Sequence, residues 1–159
     1  MQEVYLLLGS NLGDRIQQVR SAADLIGKDI GTIVQRSACY ETASWGNTDQ
    51  PDFINQVLTV RTGLTARAVL EKALDIEIRL GRIRHEKWGS RLIDIDILFY
   101  GNQVIHEPDL VVPHPHLHER SFVLIPLEEI APDLVHPVLG RSVTELARNL
   151  DDALLVKRI

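Results

Sequence analysis

The chain has 159 residues, 45% hydrophobic and 25% charged, with a formal net charge of −5 and one cysteine. That length suits one domain over residues 1–159 with an adequate core, and the negative balance excludes a general nucleic-acid binder, so an anionic ligand needs a local cluster of cations. The lone cysteine excludes an intramolecular disulfide, and with no signal pattern or apolar run of membrane length the expected location is the cytoplasm, away from membranes.

Residues 3–9, EVYLLLG, predict a buried first strand, and residues 10–27 a helix with Ile16, Val19, Ala23 and Ile26 at helical spacing. The GSNLG stretch at their junction matches neither glycine-rich phosphate pattern, and reads as a strand-to-helix turn capped by Ser10 or Asn11. Residues 32–42 and 52–62 read as two strands, with Cys39 a buried structural thiol in the first. The intervening ASWGNTDQP is too long for a tight hairpin. Residues 64–81 are the clearest helix: Thr65 is its N-cap, Leu64 and Val69 form a hydrophobic staple, and Gly81 ends it.

A strand follows at 91–100, RLIDIDILFY, with Ile93, Ile95, Ile97 and Phe99 toward the core and Asp94 and Asp96 on the other face. Beyond a turn at Gly101-Asn102 come an apolar stretch at 122–132, a last helix opening with the capping box SVTE at Ser142, and a terminal strand within 150–159. The order βαββαβ over the first hundred residues predicts an α+β, ferredoxin-like sandwich with helices packed on one face of an antiparallel sheet.

Strands normally avoid aspartate. At i and i+2 the carboxylates of Asp94 and Asp96 share a side, and their hard oxygens suit Mg²⁺, which binds through one or two carboxylates together with substrate phosphates. A wet edge strand is the plain alternative, although it would take Lys, Thr or Ser there as readily as Leu92, Leu98 and Tyr100. Arg82, Arg84, Lys87 and Arg91 lie within ten residues, in a loop with Gly81 at its start and Gly89 inside it that leads into the strand, and guanidinium forks match phosphate oxygens. Trp88 in that loop implies something to cover. His114, His116 and His118 alternate as a zinc site on a strand would, but Pro113 and Pro115 break strand geometry, which favours His114 and Arg120 as phosphate-side donors.

Together, KWGSRLIDIDIL (87–98), GSNLG (9–13), YET (40–42), DQPDFIN (49–55), GRIR (81–84) and VPHP (112–115) resemble the 6-hydroxymethyl-7,8-dihydropterin pyrophosphokinases of folate biosynthesis, in their single-function form. The resemblance implies transfer of the β,γ-diphosphate of ATP to the pterin hydroxymethyl oxygen, leaving AMP, with two Mg²⁺ ions held by Asp94 and Asp96. It makes Arg82, Arg91, Asp94 and Asp96 catalytic. By the same likeness Glu77, Arg82, Arg84, Arg91, Ile97, His114 and Arg120 bind ATP. Thr42, Ala43, Trp45, Phe53, Asn55, Trp88, Asp94 and Phe122 form the pterin pocket, Phe53 and Phe122 as the rings that sandwich it. Ala43 and Ser90 stand where the family often has proline, Lys87 where arginine is usual, and Trp45 where a smaller aliphatic residue is found. Nothing in the chain demands more than a monomer. Two other classes compete: a ligand-binding regulatory module without turnover, and a metal-dependent phosphohydrolase.

Overall fold

The computed structural model describes residues 1–43, 51–81, 92–151 and 155–159. Strand β1 (Gln2–Ser10) is central in its sheet, and every residue from Val4 onward is buried. Helix α1 (Arg15–Asp29) is capped by Asp14, whose carboxylate accepts the Gln17 amide at 3.2 Å. Neither Ser10 nor Asn11 caps it, contrary to the expectation: Ser10 is still paired in β1 opposite Ile54, and both are fully buried.

The predicted strand at 32–42 is two strands, β2 (Thr32–Arg36) and β3 (Tyr40–Thr42), both pairing with the long β4 (Phe53–Thr62). Ser37 makes the break tolerable. Its amide donates to the Val57 carbonyl at 2.9 Å and its hydroxyl accepts the Val57 amide at 3.0 Å, so the β4 backbone stays satisfied where the ladder lapses. Cys39 lies in this gap, half-buried, with burial pushing its thiol pKa up, as suits an inert thiol. Helix α2 (Ala66–Arg79) starts as predicted, Thr65 Oγ1 accepting the Ala68 amide at 3.1 Å.

Beyond it come β5 (Asp94–Tyr100), the hairpin β6 (Ile105–Glu107) and β7 (Leu110–Val112), α3 (Ser121–Ile130), α4 (Val143–Arg148) and β8 (Val156–Arg158). The capping box at Ser142 forms, and β8 supplies the expected terminal strand by pairing with β3. Helix α3 forms despite Pro126 in its interior. A helix-internal proline costs about 3 kcal/mol. Fully burying Val123, Leu124 and Leu127 returns roughly 1.5–3 kcal/mol each, and outweighs it.

The main sheet is antiparallel in the order β5-β1-β4-β3-β8, with β2 also on β4. Its first four strands have the ferredoxin-like order, but helices cover both faces instead of one. Val4, Leu6, Leu8, Ile54, Leu58, Ile95 and Ile97 meet α1 and α2 on one side. Tyr5, Leu7, Val57 and Phe99 meet α3 and α4 on the other. Phe99 was expected beside Ile95 and Ile97. A β-bulge moves it: Tyr5 pairs with Phe99 but Leu6 with Ile97, so Leu98 is an extra residue and the alternation reverses there.

Two polar devices fasten this second layer. The Tyr40 hydroxyl donates to Glu129 at 2.6 Å, and the Ala38 amide donates to the same carboxylate, tying the break between β2 and β3 to α3. Burial, then the Glu129 hydrogen bond, pushes the Tyr40 pKa up to about 12. Buried His136 stacks edge-on against Phe99 at 5.7 Å, while its Nδ1 accepts the amides of Val138 and Leu139 at 3.2 and 3.1 Å. A proton on Nδ1 would face two N–H donors. Burial and the neighbouring His118 lower the His136 pKa. The unfolded chain therefore takes up a proton below about pH 6.5 that the folded chain refuses, so stability should fall as pH drops from about 7 to 5. The variant His136→Asn, which keeps an acceptor for those amides but cannot titrate, should start less stable and show a flatter pH dependence in urea-melt midpoints. An identical slope in both proteins would contradict this.

Candidate active site

The second face of the sheet is only half covered, and its open half holds the site. Antiparallel register aligns side chains from different strands into rows. Asn55 of β4 pairs with Gly9 of β1, and Gly9 pairs in turn with Asp94 of β5. One row beyond, Val57, Leu7 and Asp96 are aligned likewise. Thr42 of β3 is opposite Phe53 of β4. With strands about 4.8 Å apart, the Asn55 and Asp94 backbones are about two spacings from one another, with a glycine as floor between them.

That floor has to be glycine. A Cβ on Gly9 would come within 2.8 Å of the Asn55 amide nitrogen. Asn55 is 4% exposed and its Nδ2 donates to the Leu8 carbonyl at 3.2 Å, so its Oδ1 is turned away from that bond and has no hydrogen-bond partner among the described residues. The buried Thr42 hydroxyl has none either. Two orphaned oxygens in one cavity fit a ligand that offers donors, since a buried polar group left unpaired is costly.

The cavity has a volume of about 160 Å³ and opens to solvent. Thr42, Ala43, Phe53 and Asn55 line one side, and Asp94 and Asp96 the other. Arg120 and Phe122, at the start of α3, also line it, with the Arg120 guanidinium 5.7 Å from the Phe122 ring centre. Eight predicted residues therefore converge. Leu7 and Gly9 also line the cavity and were missed. The signal for Gly9 was an isolated glycine in a buried strand, which marks a close approach.

Other predicted residues lie elsewhere. Ile97 points into the α1/α2 core, 7% exposed, leaving only its backbone to a ligand. Glu77 is 2% exposed and its carboxylate accepts the Ile95 amide at 2.7 Å, on the residue between the two aspartates. His114 is half-buried beside the cavity. Its Nδ1 accepts the His116 amide at 3.2 Å, and burial, then Arg120 and His116, push its pKa down to about 4 against the pull of Asp94. The ring is thus neutral near pH 7, with Nε2–H as its one donor. Trp45, Arg82, Arg84, Trp88 and Arg91 lie outside the described residues.

The strand-borne histidine triad does not exist. Residues Leu117–Glu119 form a short 3₁₀ helix, His116 Nδ1 is 3.1 Å from Glu119, and His118 turns toward His136. Among the described residues no three metal-ligating side chains converge. Two carboxylates on one wall, beside Arg120, fit Mg²⁺ better than a protein-enclosed metal, because Mg²⁺ retains waters and shares ligands with phosphates.

The sequence profile of one family, 7,8-dihydro-6-hydroxymethylpterin-pyrophosphokinase (HPPK), matches residues 5–132. A 2-amino-4-hydroxy-6-hydroxymethyldihydropteridine pyrophosphokinase of Methylorubrum extorquens is 45% identical over 152 residues, covering 95% of each chain. The protein of that name from Haemophilus influenzae is 39% identical over 158 residues, covering 99% of this chain and 98% of its own. In fold, the chain is similar to the crystal structure of Plasmodium falciparum HPPK-DHPS wild type with SDX-DHP, with a TM-score of 0.74 at 18% identity. That match covers 93% of this chain and 43% of the solved one, so the chain spans under half the length of that structure. The residues meeting around the Gly9 floor thus come with a profile spanning most of the chain and relatives alike from end to end, and the chain belongs to the 7,8-dihydro-6-hydroxymethylpterin-pyrophosphokinase family.

Proposed function

We infer that the protein transfers the β,γ-diphosphate of ATP, as one unit, to the hydroxymethyl oxygen of 6-hydroxymethyl-7,8-dihydropterin, yielding AMP and the pterin diphosphate in folate biosynthesis. The observation that carries this reading is the row Asn55–Gly9–Asp94, which joins an unsatisfied amide acceptor to a carboxylate across a floor without side chains. A flat heterocycle with N–H donors suits that floor, and its hydroxymethyl arm would then reach toward the aspartates.

Phe53 and Phe122 supply aromatic faces for the pterin, and Asn55 Oδ1 with Thr42 Oγ1 accepts from its edge. Ala43, with Trp45 and Trp88 by family likeness, completes that pocket. Asp94 and Asp96 would hold Mg²⁺, which when bound would neutralise charge on the ATP phosphates. The family likeness suggests two such ions. Arg120 offers a fixed cation to the phosphates and neutral His114 an Nε2–H donor. Arg82, Arg84 and Arg91 are assigned to the same phosphates by family likeness, as are Glu77 and the Ile97 backbone to ATP.

In the reaction the hydroxymethyl oxygen bonds to the β-phosphorus while the bond from that phosphorus to the oxygen bridging the α-phosphate breaks. AMP leaves with that oxygen, and the hydroxyl proton is released. No protein side chain becomes covalent, because positioning and charge stabilisation suffice for phosphoryl-type transfer. None of the described helices is long and apolar enough to cross a membrane. A cytoplasmic monomer acting on small molecules, with neither nucleic acid nor membrane as partner, matches the reading.

The test is to incubate the protein with ATP, Mg²⁺ and the dihydropterin and quantify products. AMP matched by pterin diphosphate is expected, and chelation should abolish it until Mg²⁺ is restored. Phosphate released without pterin would instead reveal a hydrolase, and ligand binding without turnover a regulatory module. Asp94→Asn and Asp96→Asn should each lower kcat by about 10²–10³-fold, with melting temperatures close to that of the parent. Near-parental Mg²⁺-dependent rates in both would sink the metal assignment. Gly9→Ala should fold but raise the pterin KM by about tenfold or more, because its methyl group occupies the floor; an unchanged KM would refute the floor.

A further inference from the structure

The turn at residues 11–14, between β1 and α1, has no part in the reaction as described, and the residue that follows it is oddly placed. Arg15 is the first residue of α1, where the helix dipole disfavours a cation, and the neighbouring acidic N-cap, Asp14, is turned to the Gln17 amide. A residue that violates a local rule is doing something in the tertiary structure. Its Nη1 donates to the Glu41 carboxylate at 2.8 Å and to the Asp52 carbonyl at 2.7 Å. Glu41 immediately precedes Thr42 in β3, and Asp52 immediately precedes Phe53 in β4. Thr42 and Phe53 are opposite one another in the register and line the cavity. One guanidinium nitrogen thus spends a hydrogen on each of the two chain stems that carry one wall of the site. Asn11, in the same turn, donates to the Pro51 carbonyl at 3.4 Å.

We propose that Arg15 is a positioning residue for the pterin side of the site, setting the separation of the Thr42 and Phe53 stems. The inference rests on the pterin-binding reading above. The two charged side chains are 29% and 30% exposed, and an ion pair so open to water adds little to stability. Its worth is geometric: the stems are ends of a long connection whose closure costs entropy, and a bond to each end holds the wall in register. Substrate affinity, not folding, should register its loss.

The experiment compares the full-length protein with Arg15→Ala, Arg15→Lys and Glu41→Gln, varying each substrate separately and recording thermal melts. Arg15→Ala should raise the pterin KM about tenfold while the ATP KM stays within about twofold. Its melting temperature should move by only about 2 °C or less. Lysine, with several donors on one ammonium, should recover part of the affinity, and glutamine at 41, which keeps an acceptor, should be mild. An unchanged pterin KM in Arg15→Ala would overturn the proposal, as would equal loss for both substrates accompanied by a lower melting temperature. Should Arg15→Ala fail to fold, Glu41→Ala must show the pterin-selective change, and its absence overturns the proposal. A parent protein that makes no AMP would refute the catalytic reading instead. Dihydropterin binding, followed by its fluorescence, then decides the clamp: weaker binding in Arg15→Ala supports it and equal binding overturns it.

Discussion

The site depends on one irregularity, the bulge at Leu98 in β5. A strand of seven residues has to satisfy two cores and leave a carboxylate wall exposed. Strict alternation cannot do this, since it would put Phe99 with Ile95 and Ile97 under α1 and α2. Inserting Leu98 lets Ile95 and Ile97 fill the first core while Leu98 and Phe99 fill the second. Asp94 and Asp96 then share a face with Phe99 but lie farther along the strand, where α3 and α4 no longer cover it. The acidic wall and the apolar layer are consecutive stretches of one strand face.

That division of the face explains the roles of the later elements. Helices α3 and α4 are more than a cover, because α3 begins at the rim of the cavity and delivers Arg120 and Phe122 to it. Its position is held from the far side by Glu129, which accepts from the Tyr40 hydroxyl and from the Ala38 amide in the break between β2 and β3. Tyr40 is also opposite Asn55 in the register, in the row that runs on through Gly9 to Asp94. Packing of the second layer and shape of the cavity are therefore linked through few residues.

Electrostatically the site works against the chain as a whole. A protein of net charge −5 has to receive a polyanion beside two of its own carboxylates. Arg120 offers fixed positive charge there. His114 contributes differently: held neutral by burial and by the Arg120 charge, and with Nδ1 engaged by the His116 amide, it offers a donor without a charge that varies near pH 7.

Much of this was legible in the order of residues, because it depends on short-range rules. A continuous apolar run marked β1 and alternation marked β5, the caps at Thr65 and Ser142 follow from local hydrogen bonding, and aspartates on a strand announce themselves because strands disfavour them. The RLIDIDIL block and its companion stretches identified the family and most of the residues that line the cavity. Tertiary structure alone decided the rest. The break at Ser37 depends on a partner twenty residues away in β4, the Phe99 reversal on where two separate cores lie, and the helical state of 121–130 on apolar surface waiting for it. Gly9 became a floor, and Arg15 a brace for two stems, only through register and chain crossing. Local propensity is written in neighbours along the chain, whereas these roles are set by distant residues brought to the same place by folding.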